Sequence, residues 1–220
     1  RLRHARFSKA CGGIVEECEN CSEPVPDNYL QARRDSANPT DCPDLTVEEN
    51  AREWILNAPE AFCNTHDARI LSQVLNSYDQ ETTDFYRWKV EYDQEEITKL
   101  VRERSGEDYG NIIDLIPVAR GTSGRIYRLK IVGTRKTQII GKELEIRRTL
   151  SPSHLYSSAF VVEKQGNDEI PDRFIIRGAG WGHGVGLCQI GAAVMGEKGY
   201  NYNQILQHYF VGANVTKLYQ

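Results

Sequence analysis

From about residue 84 onward, apolar and polar positions recur with regular spacing. Tyr86, Trp88, Val90 and Tyr92 alternate with polar residues, which predicts a strand over Tyr86–Tyr92 with one half-buried face. Ile97, Leu100 and Val101 then form an apolar stripe at helical spacing, so Gln94–Arg104 reads as a helix capped by Asp93 and stopped at Gly106. The runs Asn111–Arg120, Arg125–Val132 and Lys136–Ile140 are separated by turns at Gly121 to Gly124 and at Gly133-Thr134, and predict an antiparallel meander. Leu144–Leu150 reads as a short helix closed by Ser151-Pro152. Ala159–Glu163 reads as a strand that returns through Gln165-Gly166-Asn167-Asp168 to pair with Arg173–Arg177. Two helices close the pattern: Leu187–Gly196, with a small-residue face of Gly191, Ala192 and Ala193, and Tyr202–Phe210. Gly199 lies between them, and Asn201 or Asn203 can cap the second.

The first 68 residues lack this regularity. Pro24, Pro26, Pro39 and Pro43 interrupt them, and turn formers dominate from Asp35 to Asp44. One helix is predicted there, Val47–Leu56, opened by a capping box of Thr46 with Glu49. The expected fold is therefore α+β: mainly antiparallel sheet with short helices, plus an irregular cysteine-rich N-terminal region. The expected organisation is a single domain, with an irregular segment at 1–68 that carries an insertion at about 20–60, and an α+β core at 69–220. A chain of 220 residues with 40% hydrophobic content can bury such a core.

A net charge of -4 and the absence of a long basic run argue against nucleic-acid binding. No apolar run approaches the roughly 18 residues of a membrane helix. The opening Arg1-Leu2-Arg3-His4 lacks the apolar stretch of a signal peptide and has no methionine, so the chain reads as a mature or trimmed product of a longer protein. Glu16, Glu17, Glu19 and Glu23 read as solvated surface.

Six cysteines change the picture more. Cys11, Cys18, Cys21, Cys42 and Cys63 all lie in the first 63 residues. Two readings stand side by side: disulfides that staple an irregular region in an oxidising compartment, and a zinc site in which Cys18 and Cys21, with two residues between them, hold one ion that Cys11, Cys63 or a histidine completes. Cys188 reads as a buried free thiol.

The densest chemical signal is Gly178 to Gly191, with six glycines around His183. Glycine costs conformational entropy on folding, so such density marks backbone at positive φ or in close approach to another group. No Gly-Lys-Ser/Thr follows and the dinucleotide spacing is absent, which excludes a phosphate loop. Glycines on both sides leave His183 reachable by a ligand, which makes it the candidate ligand residue of the loop.

The string Gly180-Trp181-Gly182-His183-Gly184-Val185-Gly186-Leu187-Cys188-Gln189, followed by Gly191-Ala192, Gly199-Tyr200 and Ile205-Leu206 to His208-Tyr209, resembles the C-terminal signature of the stage II sporulation protein D and amidase enhancer family. Ala5-Arg6-Phe7 leading to Cys11-Gly12-Gly13, Phe62-Cys63, Arg120 with Ser123-Gly124-Arg125, and Ser158-Ala159-Phe160 are similar to further landmarks of that family in the same order. The resemblance implies a bacterial protein that is secreted, periplasmic or membrane-anchored through a segment outside this chain. It further implies action on peptidoglycan glycan strands, as a lytic transglycosylase or, alternatively, as a non-catalytic amidase enhancer or glycan-binding module with a wall amidase as partner. The cleft residues that go with it are Trp181, His183 and Gln189 on the glycine loop, with Arg120, Ser123 and Arg125 on a neighbouring turn; an aromatic ring stacks on the apolar face of a sugar while polar groups meet its hydroxyls. A transglycosylase needs a carboxylic acid to protonate the glycosidic oxygen. The family's glutamate lies in an alanine- and tryptophan-rich segment that nothing at or before Arg1–Cys11 matches, so the catalytic residue is expected outside this chain. The resemblance also implies zinc held by cysteine and histidine. The histidine expected just before Cys-Gly-Gly is replaced near Ser8-Lys9-Ala10, which leaves the sulfur set Cys11, Cys18, Cys21 and Cys63.

Overall fold

The computed structural model describes residues 5–18, 27–76, 82–167 and 169–216. Cys21, Asp168 and part of the expected insertion lie outside the described residues. Those described form an α+β structure of six short helices and mainly antiparallel sheets, as the sequence predicts. Among them, no helix is long and apolar enough to cross a membrane.

A three-stranded sheet is built from β4 (Arg87–Asp93), β8 (Phe160–Gly166) and β9 (Pro171–Ala179), with β9 in the centre. The Tyr86–Tyr92 alternation survives as β4, paired antiparallel with β9 from Arg87↔Ala179 to Asp93↔Arg173. The predicted meander is β5 (Ile112–Arg120), β6 (Ile126–Gly133) and β7 (Thr137–Ile140). Helix α3 (Gln94–Ser105) and helix α4 (Glu143–Thr149) share one core with the two sheets, in which Ile97, Leu129, Ile146, Phe160 and Phe174 are all fully buried.

A second core gathers around the cysteines and joins Cys11, Phe62, Phe85, Val185, Ile190 and Tyr209. It is covered by α2 (Ala68–Val74), α5 (Gln189–Glu197) and α6 (Tyr202–Tyr209). Helix α2 leaves no periodic mark in the sequence, because only Leu71 of its seven residues is buried and the apolar stripe is too short to register. The N-terminal segment supplies β1 (Phe7–Ser8), which pairs in parallel with β10 (Leu187–Cys188), and β2 (Ile14–Val15), which pairs with β3 (Arg33–Arg34).

Two local expectations need correction. Helix α1 (Glu48–Asn57) begins after Val47 with no side-chain cap, and the Thr46 hydroxyl donates instead to Asp44 Oδ1 at 2.5 Å. Leu187–Cys188 is strand, so helix α5 begins only at Gln189. The pairing with β1 claims those two residues first.

Candidate functional site

Gly180, Gly182, Gly184 and Gly186 all have positive φ, so every second residue of the loop lies in the left-handed region. Gly184 and Gly186 are the most constrained: a Cβ would stand 2.4 Å from the Arg125 guanidinium at the first and 2.3 Å from the Arg6 carbonyl oxygen at the second. The loop folds along the N-terminal segment: Trp181 N–H donates to the Ala10 carbonyl at 2.7 Å, Glu16 N–H to Gly184 at 3.0 Å and Leu187 N–H to Arg6 at 3.0 Å.

Arg125 is the post that holds both segments. It is 1% exposed, and its Nε donates to the Gly182 carbonyl at 3.1 Å while its NH1 donates to the Cys11 carbonyl and the Ser123 hydroxyl, both at 2.9 Å. The turn before it is clamped by Glu16. One carboxylate oxygen accepts from Thr122 N–H at 3.1 Å and from its hydroxyl at 2.8 Å; the other accepts from Ser123 N–H at 3.1 Å and from its hydroxyl at 2.6 Å. Glu16 is fully buried, which corrects its reading as solvated surface. A buried carboxylate is tolerable only when so many donors converge on it.

The structure divides the predicted ligand residues into two groups. Arg120, Ser123 and Arg125 are buried: the Arg120 guanidinium donates to Glu48 at 2.6 and 2.8 Å and to the carbonyls of Gly124 and Phe160. Trp181, His183 and Gln189 are part-exposed. The Trp181 ring lies 4.3 Å from that of Tyr156 and 4.8 Å from that of Phe85, with Lys9 Nζ 5.2 Å from its centroid. Beside it opens a narrow cleft of ≈ 70 Å³, lined by Thr82, Asp84, Trp88, Lys89, Tyr156 and Trp181. A wider groove of ≈ 550 Å³ shares Asp84, Trp88 and Lys89 and extends to Ile55, Arg87 and Arg177. His183 accepts from Val185 N–H through Nδ1 at 3.0 Å. Burial, then the charges of Arg125, Arg6 and Arg147, lower its pKa to about 4, which keeps the ring neutral near pH 7.

Below the loop, Cys11, Cys63, Cys188 and Asp35 converge, all buried, with their ligand atoms within 4.8 Å of one another; such a cluster could hold a metal ion. Cys11 and Cys63 come from the predicted sulfur set. Cys18 is buried outside this group, and Cys21 lies outside the described residues. No disulfide joins the described cysteines to one another, and Cys11, Cys42, Cys63 and Cys188 are free thiols. Cys188 is buried, as predicted, and burial would raise its pKa, but hydrogen bonds from the Cys11 and Cys63 thiols bring it to about 6. Burial pushes the Cys11 and Cys63 thiols well up. Burial acts to raise the pKa of Asp35 too, yet the approach of His208 and the hydrogen bonds from Cys63 and Tyr209 outweigh it and leave the carboxyl below its ordinary value. Asp35 carried no signal in the sequence, sitting at the head of a polar stretch. Cys188 could have been found by asking which cysteines flank Gly-rich or Phe-Cys landmarks, since Cys11, Cys63 and Cys188 all do.

The fold and loop define an α+β protein in which a glycine-rich loop presents an aromatic face above a buried thiol cluster. The chain belongs to the family described as a domain of unknown function, DUF8618, whose model matches residues 16–186. It is 39% identical over 72 residues, 33% of this chain and 18% of that protein, to an uncharacterized protein of Brachyspira hyodysenteriae strain ATCC 49526 / WA1. It is also 33% identical over 69 residues, 31% of this chain and 9% of that protein, to the amidase enhancer of Bacillus subtilis strain 168. The chain thus matches less than a fifth of the length of either curated relative.

Proposed function

We propose that this chain acts at the bacterial cell wall, outside the cytoplasm, and engages peptidoglycan glycan strands along the Trp181 face in support of a wall amidase. Its partial likeness to an amidase enhancer supports the cell-wall role. The observation that carries the glycan reading is the part-exposed Trp181, packed at a tilt against Tyr156 and Phe85 beside the polar groups of Thr82, Asp84 and Lys89. An aromatic platform rimmed by hydrogen-bonding groups matches the two faces of a pyranose ring.

Cleavage of the strand by a lytic transglycosylase mechanism is the finer reading. It requires a protonated carboxylic acid in the cleft. The buried carboxylates Glu16, Asp35 and Glu143 are engaged with Thr122 and Ser123, with Cys63 and Tyr209, and with Arg147 respectively. By the resemblance to the amidase enhancer family the acid is expected outside this chain, and recognition is the part proposed for the chain itself.

Sedimentation of the full chain with purified sacculi tests the binding. Trp181→Ala is expected to weaken it about tenfold, equivalent to about 1.4 kcal/mol, and absence of binding by the native chain would overturn the reading. Chromatography of the digested sacculi adds the finer test: anhydromuramic ends support cleavage, whereas bound but uncut strands confine the chain to recognition.

A further inference from the structure

We propose that Cys11, Cys63, Cys188 and Asp35 form a closed structural zinc centre that ties four segments remote in sequence into one body. The four ligand atoms lie within 4.8 Å of one another, and the Cys11 and Cys63 sulfurs are 3.6 Å apart. Zinc–sulfur bonds of about 2.3 Å in a tetrahedron set neighbouring sulfurs about 3.8 Å apart, whereas a disulfide bond is about 2.0 Å long. The Cys11–Cys63 separation therefore matches two sulfurs on one ion and not a disulfide.

Donor chemistry selects the ion. Calcium and magnesium take oxygen ligands, while a sulfur-rich set with a single carboxylate suits zinc. All four side chains are at most 1% exposed and all four donors come from the protein, the arrangement of a structural site rather than of a catalytic site with an open position. Without an ion, thiols buried this deeply have one another as their main partners, and sulfur is a poor hydrogen-bonding group.

The surroundings are those of held ligands. The Tyr209 hydroxyl donates to Asp35 Oδ1 at 2.6 Å and Cys63 N–H donates to Oδ2 at 2.9 Å, which fixes the carboxylate while leaving lone pairs on both oxygens. Gly191 makes room for it, since a Cβ there would stand 2.7 Å from either Asp35 oxygen. Cys188 is the N-cap of α5 and receives the Cys11 N–H at 3.3 Å, two interactions that favour a thiolate. The ion fixes the end of the glycine loop at Cys188 against the N-terminal segment at Cys11, and both against the residue 35 and residue 63 turns.

Metal analysis of the full chain, purified without chelator, is the test. One zinc per chain is expected, with a loss of tenfold or more, roughly the penalty of disturbing a metal's ligand shell, in Cys63→Ser and Cys188→Ser. Cys42→Ser, which alters an exposed thiol, should retain its zinc. Should the cysteine variants fail to fold, the native chain stripped of metal and refolded with Co²⁺ gives an independent measurement. A tetrahedral cobalt spectrum with thiolate charge-transfer bands that vanish on adding Zn²⁺ is expected. A folded chain that takes up neither ion, cobalt bands without sulfur character, or an intact mass showing a disulfide among Cys11, Cys63 and Cys188 would each overturn the proposal.

Discussion

His183 is a base held in a cationic setting, with Arg125, Arg6 and Arg147 all acting against its protonation. Its pKa of about 4 lies below the ordinary 6.5, so between those values the unfolded chain binds the extra proton and the folded chain does not. Stability must then fall as pH drops through that window, and the loss is complete below about pH 4. The size of the effect is at most about 3 kcal/mol, taking about 1.4 kcal/mol per pH unit. Urea denaturation between pH 7 and pH 4 should show a steeper decline for the native chain than for His183→Asn, which keeps an acceptor for Val185 N–H but cannot titrate. Parallel curves would mean that the ring is not shielded from protons. The glycine density alone singled out this histidine, because an invariant of physics, the cost of glycine, is visible in one sequence. The convergence of Asp35 with three cysteines was not visible, since it depends on which turns meet in space, and nothing in the polar run after Asp35 marks that residue for burial.

At the scale of elements, local chemistry decided what could be read. The Asp93 side chain accepts from Glu96 N–H at 2.8 Å, and Glu96 accepts from Asp93 N–H at 2.9 Å, a reciprocal cap that the Asp-x-x-Glu spacing announces. Asp93→Ala should cost about 1 kcal/mol, measurable as a lower denaturation midpoint with unchanged slope. A cost near zero would place the stability of α3 in its packing through Ile97 and Val101 instead. Thr46 and Glu49 have the same spacing and form no such cap: the helix begins one residue later, after Val47, and Asp44 takes the Thr46 N–H that Glu49 would accept in a capping box. Sequence spacing names the partners that are available, and competition among them settles the outcome. The same competition placed Leu187–Cys188 in a strand: both residues have helix-compatible neighbours, but Phe7 and Ser8 offer them a parallel partner. Strands and helices that need only their near neighbours, such as β5 to β7 and α3, were legible from periodicity. Parallel pairing of β1 with β10 was not, since it joins segments too distant for any window.

That distant pairing organises the whole molecule. Cys11 and Cys188 are 177 positions apart, yet the Cys11 N–H donates to the Cys188 sulfur. Along this seam Ala10 exchanges backbone hydrogen bonds with Trp181, Glu16 N–H reaches Gly184, and Ile190 N–H reaches the Lys9 carbonyl. Such contacts return nothing until the intervening chain is ordered, so the seam should close late in folding. Arg125 spans it, donating to Cys11 on one side and Gly182 on the other. In Arg125→Lys the charge remains but the fork that reaches both carbonyls is lost. Hydrogen exchange should then rise about tenfold or more, equivalent to about 1.4 kcal/mol of local opening, in residues 7–16 and 181–190 together, while β5 to β7 keep their protection. Equal rises in both segments would identify them as one cooperative unit joined across the chain. A rise confined to 181–190 would instead make the glycine loop an independent flap resting on a rigid N-terminal strand, and the aromatic face of Trp181 would then move without disturbing Cys11.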